Sequence, residues 1–117
     1  MTNLLKAEKT INFPNNVSYK ARMSLEIMMQ IESAIGTSFL KVAQRLSSGE
    51  LTLTEIITII TLSIRGGGNN IEEKDIRKLV SEMGLTNAIA MTGDLLTLAL
   101  AESDSGNLSD EEKKSES

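Results

Sequence analysis

Glycines divide the middle of this chain into segments of helical length. They stand at Gly36, Gly49 and residues 66–68, each directly after an apolar-rich segment, and Gly84 repeats the arrangement further on. Glycine readily adopts the left-handed backbone conformation that ends many helices. The spacing therefore predicts short helices joined by tight connections.

Two short β-favouring runs come before the first of these segments. Residues 10–13 and 17–22 flank Pro14-Asn15-Asn16, a cluster typical of turns. Apolar and polar side chains alternate along the second run, as in a half-exposed strand. The pattern predicts a β-hairpin, which should lie against helices because an isolated hairpin is barely stable in water.

Five helices are predicted, each with a side chain that can cap its first turn. The first runs to Ile35 before Gly36, the second ends at Gly49, and the fifth continues to about Glu102. Gly93 lies inside the fifth helix, which indicates a bend or a close approach of another helix. The predicted N-caps are Ser24, Thr37 or Ser38, Thr52, Asn70 and Thr86.

The third helix carries the most apolar sequence. Thr52 and Glu55 have the spacing of a capping box, and isoleucines dominate the residues that follow. Isoleucine and threonine also favour strands, so a strand is the competing interpretation. The segment's length, the capping box and the helical spacing of its threonines favour a helix, and we expect it to be the central, most buried one.

These elements predict a mainly α fold: an N-terminal β-hairpin followed by a compact bundle of about five helices in one domain over residues 10–102. Residues 1–9 are expected to be a flexible lead-in. Residues 103–117 hold five acidic and two basic side chains and almost no apolar ones. Such a composition predicts a disordered acidic tail.

Composition also narrows the possible chemistry. The chain has no cysteine and no histidine, so it lacks disulfides, thiolate metal ligands and the commonest general base. Its acidic residues are scattered over predicted wet faces; Glu72, Glu73 and Asp75 cluster in the first turn of the fourth helix, where they favour the helix dipole. We therefore expect no enzyme activity, no catalytic residues, no cofactor and no metal.

Nucleic acid and membrane are poor matches as partners. Outside the acidic tail the chain is nearly neutral, and no predicted helix has a basic face for a DNA groove. The longest apolar-rich run, residues 51–64, is too short to span a bilayer and contains Glu55. The N-terminus lacks the features of a secretory signal, so we expect the protein in the cytoplasm.

The sequence Arg65-Gly66-Gly67-Gly68 superficially resembles a phosphate-binding loop. Such a loop needs Gly-Lys-Ser/Thr between a strand and a helix, whereas these glycines follow a helix and no Lys-Ser/Thr comes next. A helix cap and connector is the favoured interpretation. A hinge between the first three helices and the last two stays open, and the candidate hinge or cap positions are Gly36, Gly49, Gly66, Gly67 and Gly68.

Recognition of another protein is the function that remains. The flexible side chains of Met28 and Met29, or a strip of the fifth helix, could hold an amphipathic helix. The candidate partner-binding residues are Met28, Met29, Met91, Leu95 and Leu98. The alternative that these side chains belong to the core stays open.

Several short motifs occur in an order that resembles one known family. The motifs are residues 18–22, Ser24-Leu25, Ile31-Glu32 before Gly36, Leu46 with Gly49, Leu53 with Glu55-Ile56, and residues 62–68. Their order resembles the small tail-module protein of bacterial gene transfer agents, siphophages and prophages, a tail assembly chaperone whose older label is tail tube protein. The resemblance covers about residues 10–100, and the acidic tail has no counterpart in it.

The resemblance implies a non-enzymatic assembly factor in the bacterial host. Such chaperones coat the helical tape measure protein and recruit tail tube protein subunits around it. The implied partners are therefore the tape measure and tail tube proteins, and a homo-oligomer is compatible with that role. The alternatives are a structural tail tube component retained in the particle and a generic helical adaptor.

Overall fold

An antiparallel hairpin is the first element of the fold, as predicted. The structure is a computed structural model that describes the backbone of residues 7–111 and the side chains of residues 7–101. Strand β1 (Glu8–Phe13) pairs with β2 (Val17–Arg22), from Glu8 opposite Arg22 to Phe13 opposite Val17. Strand β1 thus begins before the predicted start at residue 10. Of the remaining lead-in, Ala7 is buried and its carbonyl accepts the Met23 N–H at 2.8 Å, while residues 1–6 lie outside the described residues.

Five helices follow the hairpin within residues 7–111, which confirms the predicted fold class. In three of these helices a predicted residue caps the first turn. The side chains of Ser24, Ser38 and Thr52 each accept a hydrogen bond from the backbone N–H group three residues further along the chain. Gly36 ends the first helix in the left-handed conformation, with φ of 89°. The helices are α1 (Leu25–Ile35), α2 (Phe39–Ser47), α3 (Leu53–Gly66), α4 (Glu73–Met83) and α5 (Leu85–Glu111).

Helix α3 is the centre of the core, as expected from its isoleucine content. It packs against β2, α1, α4 and α5, and Ile59, Ile60 and Ile64 have no exposed surface. Two hydroxyl groups are buried with them. Thr61 donates to the carbonyl of Ile57 at 2.7 Å and Ser63 donates to that of Ile60 at 2.8 Å. Each buried hydroxyl is thereby satisfied within the helix, so it carries no desolvation penalty for an unmet hydrogen bond.

The end of α3 lies directly against the backbone of β2. A Cβ atom on Gly66 would stand 2.7 Å from the carbonyl oxygen of Arg22, and one on Gly67 would collide with the carbonyl of Lys20. Asn69 continues this contact, since its side-chain amide donates to the Lys20 carbonyl at 2.9 Å. Gly67 is also the C-cap of α3. These glycines are therefore required by close packing of the helix end on the hairpin, and hinge motion at this point stays a prediction.

The predicted cap of α4 is wrong. The helix begins after Glu72, whose backbone N–H donates to the Asp75 carboxylate at 3.3 Å, and Asn70 lies outside it. Just before this start, Arg65 Nε donates to the Ile71 carbonyl at 2.8 Å, and the Ile71 side chain is buried. Both contacts hold Ile71 in the connection that precedes the helix.

The start and end of α5 also differ from prediction. The helix begins at Leu85, directly after the C-cap Gly84, and not at Thr86. Its backbone continues past Glu102 to Glu111, into the segment predicted as a tail. The remainder of that segment, residues 112–117, lies outside the described residues.

Candidate protein-binding groove

An apolar groove of about 340 Å³ lies where the first turn of α3 meets the corner between α4 and α5. Ile56 and Ile57 form its floor and are almost fully buried, while Leu53 and Leu85 form its rim with 58% and 46% of their surface exposed. The remaining lining residues are Arg77, Val80, Ser81 and Gly84. The groove therefore offers a mostly aliphatic surface with one cation at its edge.

Both rim leucines continue stripes that are buried elsewhere in the fold. Leu53 is three and four residues before the buried Ile56 and Ile57, and Leu85 is three residues before the buried Ala88. Residues at these spacings share one helix face. The groove is thus the uncovered end of two core-facing stripes, where no described element lies above them. Ile89, one turn beyond Leu85 and 40% exposed, extends the apolar surface along α5.

A polar network fixes the first turn of α3 and with it the position of Leu53. Thr52 Oγ1 accepts the N–H of Glu55 at 3.1 Å, and a Glu55 oxygen accepts the N–H of Thr52 at 3.0 Å. Arg45 of α2 reaches the same oxygen at 2.7 Å. The Thr52 N–H lowers the pKa of the Glu55 carboxyl; partial burial opposes this effect, and Arg45 lowers the pKa further.

Removing this capping box is expected to cost stability in a pH-dependent way. Thr52→Ala should lower the free energy of unfolding by about 1 kcal/mol at neutral pH. Because folding lowers the pKa of Glu55, its charge stabilises the fold above its ordinary pKa, and this contribution is lost as pH falls through the lowered value. Thermal unfolding of wild type and Glu55→Gln should therefore differ at neutral pH and converge in acid. A difference in unfolding temperature that stays constant across this pH range would contradict the lowered pKa of Glu55.

The structure separates the partner-binding residues that the sequence suggested. Met29 is 58% exposed on α1, while Met28 is half-buried against the core. On α5, Met91 and Leu98 are half-buried and Leu95 is fully buried, where no partner can reach it in this conformation. These residues do not form one surface, and none of them lines the groove.

Other exposed apolar side chains were not anticipated from the sequence. Leu25 on α1 is 70% exposed and Leu40 on α2 is 62% exposed. Leu25 is four residues before Met29, so the two form one ridge along α1. The sequence signal for them is indirect: apolar residues in the first turn of a helix can fall beyond the elements that cover its later turns.

Within residues 7–101, no group of three or more acidic, histidine or cysteine side chains is placed to hold a metal ion. Among the described helices, none is by itself long and apolar enough to cross a membrane. Within that part of the chain, α4 and α5 meet the length and hydropathy needed only when they are counted together, and the two helices are bent by 119° relative to each other. The groove, whose lining is mostly aliphatic, is the candidate site.

The fold is that of a small helical domain with an N-terminal hairpin and an open apolar groove. Comparison with known protein families identifies the family of the chain. Residues 7–102 match the family described as phage tail tube protein, GTA-gp10, and the chain belongs to that family. No curated protein and no solved structure matches it. The match covers the hairpin and the described helices up to the start of the acidic segment, so the role of the chain is related to phage-type tails.

Proposed function

We propose that this protein is a tail assembly chaperone that binds an apolar helical segment of the tape measure protein and passes it to tail tube subunits. The observation that carries the proposal is the groove itself. Its floor belongs to the core, and its rim leucines stand open to solvent. A helix that places apolar side chains at i, i+3 or i+4 and i+7 could set them into such a groove.

The size and chemistry of the groove suit reversible binding. About 340 Å³ accommodates a few side chains, and its aliphatic lining provides little directional hydrogen bonding. Burial of apolar area would hold the segment at about 25 cal/mol per Å², less the entropy lost on association. Many copies could then cover a long apolar helix and be displaced by tube subunits. As part of this proposal the protein acts without catalysis or cofactor, in the cytoplasm of the bacterial host.

A structural role in the tail tube is the second candidate, and the family description favours it directly. A subunit of a tube wall must contact other copies through two different surfaces. In that case the groove would be filled permanently within the particle. The two candidates share the groove and differ in whether the protein leaves the tail.

Co-expression with the tape measure protein of the same gene cluster tests the binding step. Wild type should keep the tape measure soluble and co-purify with it. Leu53→Ser combined with Leu85→Ser should abolish both effects, because it places hydroxyls on the rim of the groove. Leu40→Ser is the matched control, since Leu40 is similarly exposed but lies on α2, and it should behave as wild type.

Failure of the wild-type protein to bind or solubilise the tape measure would contradict the chaperone proposal. Equal behaviour of the groove variant and wild type would contradict the assignment of the groove. The composition of purified tails separates the two candidate functions. A chaperone should be missing from finished tails, whereas a tube component should be present in many copies.

A further inference from the structure

The ridge on α1 and the groove are two separate apolar surfaces of one chain. The ridge consists of Leu25 and Met29, which are 70% and 58% exposed. It lies on a helix that packs chiefly against α3 and α2, whereas α3, α4 and α5 form the groove. No ridge residue lines the groove of its own chain. If ridge and groove meet, they belong to different copies.

Shape favours such a meeting. The ridge projects two flexible apolar side chains one helical turn apart, and the groove is a concavity with room for a few side chains and an aliphatic floor. Methionine adapts readily to irregular apolar sites. Insertion of the ridge would cover Leu25 and Met29 of one copy together with Leu53 and Leu85 of the next. The described part of the chain exposes six large apolar side chains, and this contact would cover four of them.

Charge favours the same pairing. Glu26 lies beside the ridge in a shallow concavity that Arg22 and Arg65 also line, yet among the described residues it forms no ion pair with either of them. Arg77 lines the groove, and among the side chains of residues 7–101 it pairs only with Glu73, at 3.8 Å, with both side chains well exposed. An exposed pair of that kind contributes little, so the guanidinium is available to a second carboxylate. Opposite charges at the edges of two apolar surfaces steer them together and set their orientation.

We infer that the α1 ridge of one copy occupies the α3–α4–α5 groove of a second copy when no tail partner is bound. The contact is head-to-tail, because ridge and groove are different surfaces. Each copy that inserts its ridge still presents an open groove, so association continues beyond a dimer unless a ring closes. This inference concerns the isolated protein and does not depend on which tail protein is its partner.

Sedimentation analysis of the purified full chain tests the inference. Wild type should exceed the monomer mass of 12.7 kDa in a concentration-dependent way. A ridge variant (Leu25→Ser with Met29→Ser) and a groove variant (Leu53→Ser with Leu85→Ser) should each be monomeric, while Leu40→Ser should associate as wild type. Circular dichroism establishes that each variant is folded, which is expected because every substituted side chain is exposed.

Mixing the two defective variants gives the sharpest outcome. The ridge variant keeps its groove and the groove variant keeps its ridge, so an equimolar mixture should form one-to-one heterodimers and nothing larger. A mixture that stays monomeric would overturn the head-to-tail pairing. So would a wild type that is monomeric at all concentrations, or association of either variant alone.

Charge exchange provides an independent check that leaves the apolar surfaces intact. Glu26→Arg and Arg77→Glu should each weaken self-association severalfold, and the chain carrying both should recover it, since every contact again joins opposite charges. If the single variants self-associate more weakly and the double variant does not recover self-association, the pairing of Glu26 with Arg77 is contradicted.

Discussion

Replacing Gly67 by alanine is expected to destabilise the fold more than alanine at any other glycine within residues 7–101. The new Cβ would overlap the Lys20 carbonyl of β2, which is backbone and cannot rotate away. Overpacking of this kind costs about 3 kcal/mol when neighbouring backbone has to shift. The midpoint temperature of thermal unfolding should therefore fall by about 10 °C or more. Gly66→Ala should also lower it.

Gly93→Ala is the matched control because it adds the same methyl group to another helix. There the Cβ would lie 3.6 Å from a methyl of Leu46, an ordinary contact between α5 and α2. Alanine also has the higher helix propensity, by about 1 kcal/mol. Gly93→Ala should thus leave stability unchanged or raise it. Similar losses at positions 67 and 93 would contradict the close approach of α3 to the hairpin.

A second large effect is expected at the centre of α3. Ile60 has no exposed surface, and Ile60→Ala should lower the free energy of unfolding by about 2–5 kcal/mol through lost burial and the cavity left behind. Urea unfolding followed by circular dichroism measures the change.

Leu53→Ala on the same helix is the comparison for this substitution. Leu53 is mostly exposed on the groove rim, so its truncation should change the stability of the chain by about 0.5 kcal/mol or less when unfolding is measured on dilute, monomeric protein. If both substitutions cost the same, then either Leu53 is covered in solution or α3 is not the core helix. The contrast between these two truncations of similar size therefore also tests whether the groove is open.

Features set by neighbouring residues were predictable from the sequence. The capping box of Thr52 and Glu55, the caps at Ser24 and Ser38, and the left-handed Gly36 each depend on groups within a few positions along the chain. Residue type and spacing are enough to predict local hydrogen bonds of this kind.

Features set by distant residues were not predictable. The requirement for glycine at 66 and 67 depends on the backbone of β2, and the burial of Ile71, which precedes α4, depends on the core. The groove depends on which part of an apolar stripe is left without cover. Leu53 has the same spacing as the buried isoleucines, so periodicity alone places it in the core. Conversely, Leu95 has the pattern of a binding strip and is fully buried.

Thiol labelling within a reconstituted complex tests the central claim most directly. The chain has no cysteine, so Leu53→Cys introduces a single thiol on the groove rim, and Leu40→Cys introduces one at a similarly exposed control position. At a protein concentration low enough to keep the free chain monomeric, adding the tape measure protein should slow the labelling of the Leu53→Cys thiol at least tenfold, about 1.4 kcal/mol of protection, and leave the Leu40→Cys thiol unchanged. A stable complex in which both thiols react as fast as in the free protein would contradict binding through the groove.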